Sequence, residues 1–313
     1  MKRYTGLIIL FVLCVQAAYS QYDPQFSQYF GAMNYYNPAR AGSTEYTNIT
    51  AMYRMQWVGF EDAPQTFFGT ADMPFKIGTT KLGVGAVVVS ESYGLFQKMD
   101  ISAQLSYRLK LFGGELSVGL QAGMVSSTFN GDKVKLPENS GSMEDPAIPT
   151  TKVDGSTFDI GAGIYYTLKR FYFGFAGLHL TEPEITYGEN AATYVGRSLN
   201  LTTGYNIPLK NPLFELQPSV FLKTDMYSFQ ADITGRVLYD ERFSGGLSYR
   251  INESVVLLLG ARFGDFQVGY AYDFPTTAIL KASSGSHEFM VNYRLMLNKP
   301  KTGKNRHKSV RIL

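Results

Sequence analysis

From Thr47 to Leu297 the chain repeats one pattern, a run of about ten residues in which apolar and polar side chains alternate, followed by a break. A period of two marks strands whose two faces meet different surroundings, whereas an amphipathic helix needs a period near 3.6. Met99, Ile101, Ala103, Leu105, Tyr107 and Leu109 share one face of their run, and Asp100, Ser102, Gln104, Ser106, Arg108 and Lys110 share the other. Phe158, Ile160, Ala162 and Ile164 separate in the same way from Asp159, Gly161 and Gly163, as do Phe266, Val268 and Tyr270 from Gln267, Gly269 and Ala271. Followed to the end, the pattern predicts fourteen strands, near 47–58, 66–75, 80–90, 98–110, 115–128, 156–168, 171–180, 196–208, 214–224, 227–238, 242–251, 254–263, 265–274 and 286–297. Composition agrees with an all-β chain: charged residues make up 18%, and Gly, Tyr and Phe are abundant at 31, 22 and 22 copies, which favours aromatic-rich strands over helical bundles.

The breaks sort by parity. Those after even-numbered strands are short, such as Lys169-Arg170 and Gly264-Asp265, while the long ones, Gly59 to Gln65, Glu91 to Gln97, Asn130 to Gly155, Thr181 to Val195 and Pro275 to Gly285, all follow odd-numbered strands. A soluble β-sandwich also alternates, but its loops have no reason to sort in this way. The expected fold is therefore a single transmembrane antiparallel β-barrel, with short periplasmic turns, longer outer loops, an apolar outer band and a polar lumen. In lipid an open sheet edge leaves unpaired backbone groups, so the first and last strands must meet. Both carry a lipid-type face: Ile49, Ala51, Tyr53, Met55 and Trp57 on one, Phe289, Val291, Tyr293 and Leu295 on the other. Trp57, Phe112, Phe171, Tyr239 and Phe274 fall near segment ends, where interfacial girdles belong.

No segment has the 18 or so consecutive apolar residues of a spanning helix. Residues 1–20 read as a secretory signal peptide, with Lys2 and Arg3, an apolar stretch from Leu7 to Val15, and small residues Ala18 and Ser20 before a cut ahead of Gln21. Cys14, the one cysteine, lies inside that stretch behind Leu13, which disfavours a lipid anchor and leaves the mature chain without disulfides. Residues 298–313 form a basic tail with Lys299, Lys301, Lys304, Arg306, Lys308 and Arg311 and no acid, whereas the body from Gln21 to Leu297 carries 21 basic against 26 acidic residues. The tail reads either as a solvated periplasmic end or as a docking arm for an acidic partner. Export and the absence of a basic stripe in the body argue against nucleic acid.

The inward faces carry Arg54, Asp100, Arg108, Asp159, Asp232, Arg236, Arg250, Arg262, Asp273, Glu288 and Arg294. Such charges either line a water-filled pore or pair across a closed lumen, and the second is favoured. Gly83, Gly85, Gly119, Gly123, Gly161 and Gly163 leave room on the inward face, and residues 21–46, rich in Tyr, Phe and Asn, precede the barrel as a plug segment to fill it. Enzymatic signals are weak. His179, His287 and His307 have no metal-ligand spacing. A Ser/His pair built from Ser284 or Ser286 with His179 or His287 is conceivable, but rim polar residues commonly sit at headgroup level without chemistry. Gly83-Val84-Gly85 and Gly161-Ala162-Gly163 lack the third glycine and following helix of a nucleotide-binding turn. Glu182, Glu184 and Glu189 read as solvated loop rather than as a cation site. The expectation is no catalytic, cofactor or metal residue.

Three strings carry more specific information: Asp23-Pro-Gln-Phe-Ser-Gln-Tyr29, Asn37-Pro-Ala-Arg-Ala-Gly42, and Tyr53-Arg-Met-Gln-Trp-Val-Gly59 followed by Ala63-Pro-Gln-Thr66. Their order and spacing resemble the PorP/SprF family, and Ser286-His-Glu288 with Tyr293-Arg294 resembles its last strand. The resemblance implies an outer-membrane component of type IX protein secretion and gliding motility in Gram-negative bacteria, aiding export or surface anchoring of a sorting-domain-bearing client such as a large adhesin. It implies as partners that secreted client, periplasmic secretion or peptidoglycan-binding components, and membrane lipid with lipopolysaccharide. The family-motif residues are Phe26, Gln28, Tyr29, Asn37, Pro38, Gly42, Arg54, Gln56, Trp57, Gly59 and Pro64. On this reading Asn37 and Pro38 end the plug segment, Gly42 turns it into the first strand, and Arg54 pairs in the lumen with Asp232 or Asp273. The competing function is a channel for small or apolar solutes, which fourteen strands can also enclose.

Overall fold

The computed structural model describes residues 23–134, 151–187 and 191–296. The signal segment with Cys14, the greater part of the loop between Asn130 and Gly155, Glu189, and the basic tail with His307 lie outside the described residues. In chain order the strands are β1 (Thr47–Met55), β2 (Gln65–Ile77), β3 (Thr80–Tyr93), β4 (Phe96–Leu111), β5 (Gly114–Asn130), β6 (Lys152–Leu168), β7 (Phe171–Leu178), β8 (Glu184–Tyr187), β9 (Ala191–Tyr194), β10 (Ser198–Tyr205), β11 (Ile207–Pro208), β12 (Phe214–Thr224), β13 (Phe229–Tyr239), β14 (Phe243–Arg250), β15 (Ser254–Phe263), β16 (Phe266–Pro275) and β17 (Ser286–Leu295). Fourteen of these close into one antiparallel barrel; β8 and β9 form a separate hairpin, and β11 is a two-residue addition beside β12. No helix among the described residues is long and apolar enough to cross a membrane.

Closure occurs where the sequence requires it. β1 pairs with β17 over its whole length, placing Arg54 opposite Glu288, and β10 bridges β7 to β12. Each of the fourteen barrel strands thereby has a partner strand on both sides, the condition for spanning hydrocarbon. The faces divide as the alternation predicts: Ile49 and Tyr53 are 48% and 40% exposed while Arg54 is 1% exposed.

Three differences from the sequence reading have physical causes. The predicted long break from Glu91 to Gln97 is a tight turn at Gly94 (φ +54) and Leu95, with β3 running on to Tyr93 and β4 starting at Phe96. Strands continue beyond the lipid, where the outward face no longer needs to be apolar and the alternation fades. The break from Thr181 to Val195 contains the β8–β9 hairpin. The first strand ends at Met55 rather than near 58, since Trp57 has left-handed backbone (φ +46).

The lumen is filled by residues 23–46. The chain makes a four-residue helical turn (Met33–Tyr36), then a 3-10 turn (Pro38–Arg40) whose first N–H groups need a cap. Asn37 provides it, its side chain accepting from the Ala39 N–H, and Pro38 occupies the first helical position, where no donor is lost. Phe26, Tyr29, Tyr35 and Tyr36 form a buried cluster with Met52, Phe68, Val87, Val89, Phe221 and Met290 of the wall. The expected polar lumen thus includes an apolar belt, placed where the plug offers rings. Burial of each such aromatic side chain contributes roughly 1.5–3 kcal/mol, enough together to hold an element with so little secondary structure.

Candidate functional site: the plugged lumen

Two buried charged clusters tie the plug to the wall. In the first, Arg54 Nη2 lies 2.7 Å from Asp273 Oδ2 and Nη1 lies 3.2 Å from Glu288 Oε2. Arg54 Nη1 also donates to the Ser27 hydroxyl at 2.8 Å, and that hydroxyl donates to Asp273 at 2.7 Å. The Ser27 and Gln28 backbone N–H groups both donate to Glu288, each at 2.8 Å. Arg250 completes the group, pairing with Asp232 and Asp273, each at 3.1 Å, while Gln25 donates to Asp232 at 3.2 Å. Of the two partners expected for Arg54, Asp273 is the one it meets; Asp232 is held by Arg250. Buried charges need this density of partners, because an uncompensated one costs several kcal/mol.

The second cluster surrounds Asp23. His179, just past the end of β7, places Nε2 3.1 Å from Asp23 Oδ1 and Nδ1 2.9 Å from Asp159 Oδ2. Lys98 lies 3.4 Å from the same Asp23 oxygen, and Lys223 Nζ donates to the Asp23 carbonyl. Burial disfavours the charge on His179, but Asp23 and then Asp159 outweigh it and raise its pKa to about 9. Burial likewise works against the Asp23 carboxylate, yet His179, Lys98 and Lys223 hold it well below the usual range. The imidazolium is therefore charged at neutral pH and bridges plug to wall.

Small residues make the fit possible. A Cβ at Gly83 would meet the Ala41 carbonyl, one at Gly119 would meet Ala39, and one at Gly163 would meet the Asn37 side chain. Wall side chains bind the plug backbone at the same level: Ser106 donates to Ala41 O and Ser117 to Ala39 O, each at 2.7 Å, and Gln104 donates to Asn34 O at 2.7 Å. Asp72 accepts from Asn34 at 2.7 Å and from the Gly42 N–H at 2.8 Å. Gly42 has φ +60 and lies against Met73 and Gly83 backbone, so a side chain there would be both strained and blocked.

The eleven motif residues separate into two places. Phe26, Gln28, Tyr29, Asn37, Pro38, Gly42 and Arg54 lie in the lumen: Gln28 reaches Glu288, the Tyr29 hydroxyl bonds Ser219 at 2.7 Å, and Asn37 donates to Ile164 O at 2.9 Å. Gln56, Trp57, Gly59 and Pro64 belong to the β1–β2 loop at the long-loop rim. There the Gln56 N–H bonds Pro64 O at 2.9 Å, the Trp57 N–H bonds Ser286 Oγ at 3.1 Å, and Val58 pairs with Ser284 and Gly285 of the β16–β17 loop. The motif therefore spans both the plug and a joint between two outer loops.

The considered Ser/His pair does not form among the described residues. Ser286 is buried, whereas His287 points to the other face of β17 and bonds the Tyr270 hydroxyl at 2.8 Å. Asp100, Asp159 and His179 bring ligand-type atoms within 4.8 Å of one another. Both imidazole nitrogens are engaged by carboxylates, so the cluster is read as an ion network. Sequence reasoning placed Asp100 and Asp159 inward but missed Asp23, Ser27, Lys98, His179 and Lys223 as a group. The signal available was that Asp23 and Ser27 fall in a string of otherwise apolar and amide residues, which marks them as polar groups needing buried partners.

A closed antiparallel barrel with lipid-facing apolar strands and a lumen filled by its own N-terminal segment defines an outer-membrane barrel protein. The family described as Type IX secretion system membrane protein PorP/SprF matches residues 18–293, and the chain belongs to it. No curated protein matches the chain. Among solved structures it is similar to the Ralstonia pickettii toluene transporter TbuX, with 10% identity, 85% of this chain and 93% of that one covered, and a TM-score of 0.49. It is also similar to the monoaromatic hydrocarbon channel CymD, with 11% identity, 84% and 92% covered, and a TM-score of 0.49. A Pseudomonas aeruginosa FadL homologue gives 10% identity, 81% and 89% covered, and a TM-score of 0.44.

Proposed function

We propose that the protein is a non-enzymatic type IX secretion component that aids export or surface anchoring of a sorting-domain-bearing client at the long-loop rim, rather than conducting solutes. The observation that carries this reading is the plug. Residues 23–41 are almost wholly buried in the lumen and held by ion pairs and backbone bonds on several walls, an arrangement that gives up a pore and leaves two rims as working surfaces. The motif joint between the β1–β2 and β16–β17 loops supports a fixed outer platform, and loops on a rigid scaffold are where binding commonly sits. The periplasmic rim and the basic tail are the surfaces for secretion or peptidoglycan-binding partners.

The test is the surface and culture-fluid proteome of a strain lacking the gene, compared with its parent and a complemented strain. Loss of one or a few large secreted proteins is expected. Unchanged secretion with altered solute uptake would favour the channel.

A further inference from the structure

The lumen arginines fall into two populations. Towards the long-loop side Arg54 and Arg250 are tied to carboxylates. Between the plug and the short-turn rim, Arg40, Arg236, Arg262 and Arg294 line a single cavity of about 220 Å³, and among the described residues none of the four has a carboxylate within ion-pair distance. Their hydrogen-bonding partners are neutral: Arg236 donates to Gln217 at 2.8 Å, Arg294 to Gln267 at 3.2 Å, and Arg262 to Gln267 at 3.5 Å. Asp72 also lines the cavity, but its oxygens accept from Asn34, Gly42 and Asn48. The two chain ends outside the described residues, 1–22 and 297–313, contain no Asp or Glu.

Four half-buried guanidinium groups around one cavity repel each other and retain unused forked donors. Two are held in place by aromatic faces: Arg236 stacks on Phe30 at 3.4 Å, and Arg40 lies over Tyr165 at 5.3 Å. A guanidinium fixed in plane against a ring is preorganised for bidentate contact with a planar or tetrahedral oxyanion. One arginine comes from the plug and three from β13, β15 and β17, so a ligand bridging them would also latch the plug to the wall. We propose that this cavity is a phosphate-binding site, open to the periplasmic side, for a phosphate-bearing anion.

The test uses the full mature chain purified in detergent, with pyrophosphate titrated by calorimetry at constant ionic strength, and a parallel thermal-unfolding series in nanodiscs of phosphatidylcholine with and without phosphatidylglycerol. Saturable pyrophosphate binding that weakens at least tenfold in the Arg262→Gln/Arg294→Gln double variant is expected, with the variant retaining the heat-modifiable gel mobility of a folded barrel. Where that variant fails to fold, Arg40→Gln, on the plug, serves instead. Stabilisation by phosphatidylglycerol without pyrophosphate binding would assign the site to a lipid headgroup and keep its chemistry. No saturable response to either source, or equal affinities in wild type and variant, would overturn the proposal.

Discussion

The Ser27 hydroxyl lies 2.8 Å from the Arg54 guanidinium, so plug and first barrel strand meet through a side chain that is itself paired to Glu288 of the adjacent β17 and to Asp273 of β16 beyond it. Removing that side chain leaves Glu288 without a cation among the described residues and Asp273 with Arg250 alone, and takes one tie off the plug.

Arg54→Ala is therefore expected to destabilise the barrel by about 3–5 kcal/mol, the cost of breaking a buried pair by deleting one partner. Arg54→Lys should recover part of the loss, since one ammonium can replace one arm of the fork. Thermal unfolding in detergent checks both. Unchanged heat stability and unchanged client display in Arg54→Ala would remove the clamp from the account.

The wall glycines give a steric test. Gly83→Val places atoms where the Ala41 carbonyl sits, whereas a Cβ at Gly235 meets nothing within 4 Å. Overpacking costs about 1–3 kcal/mol, so Gly83→Val should lower the unfolding temperature and make the plug protease-sensitive, while Gly235→Ala should do neither. Equal behaviour of the two would contradict close contact between plug and wall.

Asn37 acts twice, accepting from the Ala39 N–H and donating to the Ile164 carbonyl. Asn37→Asp keeps the acceptor and loses the donor; Asn37→Ala loses both and should cost more, about 1–2 kcal/mol for the cap alone. The order of the two variants in a denaturant series is the measurement.

The Asp23–His179 pair sets a pH response from both sides. His179 is raised from 6.5 to about 9 in the folded protein, so its contribution is complete below pH 6.5 and is lost as pH rises through about 9. Asp23 is lowered from 3.8, so its contribution is present above that value and is lost as pH falls below it. Thermal stability should thus have a plateau between the two limits. His179→Gln should flatten the alkaline limb; a limb of unchanged slope would place the titrating group elsewhere.

Much of the fold was legible because lipid imposes period two on one face and closure imposes pairing on both ends, as Met99 to Lys110 and the β1–β17 register illustrate. The turn at Gly94 was not, since Glu91 to Gln97 lies where the outward face no longer meets lipid. The plug was foreseen from residue 21 to 46 as a filler and from the wall glycines as space. Its partners were not foreseen: Lys98 and Lys223 were absent from the expected inward set and His179 fell near the looped rim, because contacts 75, 200 and 156 residues apart leave no local pattern.

The central claim is that the plug closes the lumen, and planar-bilayer recording of the purified full mature chain tests it most directly. The account predicts no steady conductance for the wild type, and channel openings in Arg54→Ala once the plug is loosened. Steady, long-lived conductance through the wild-type protein would contradict it.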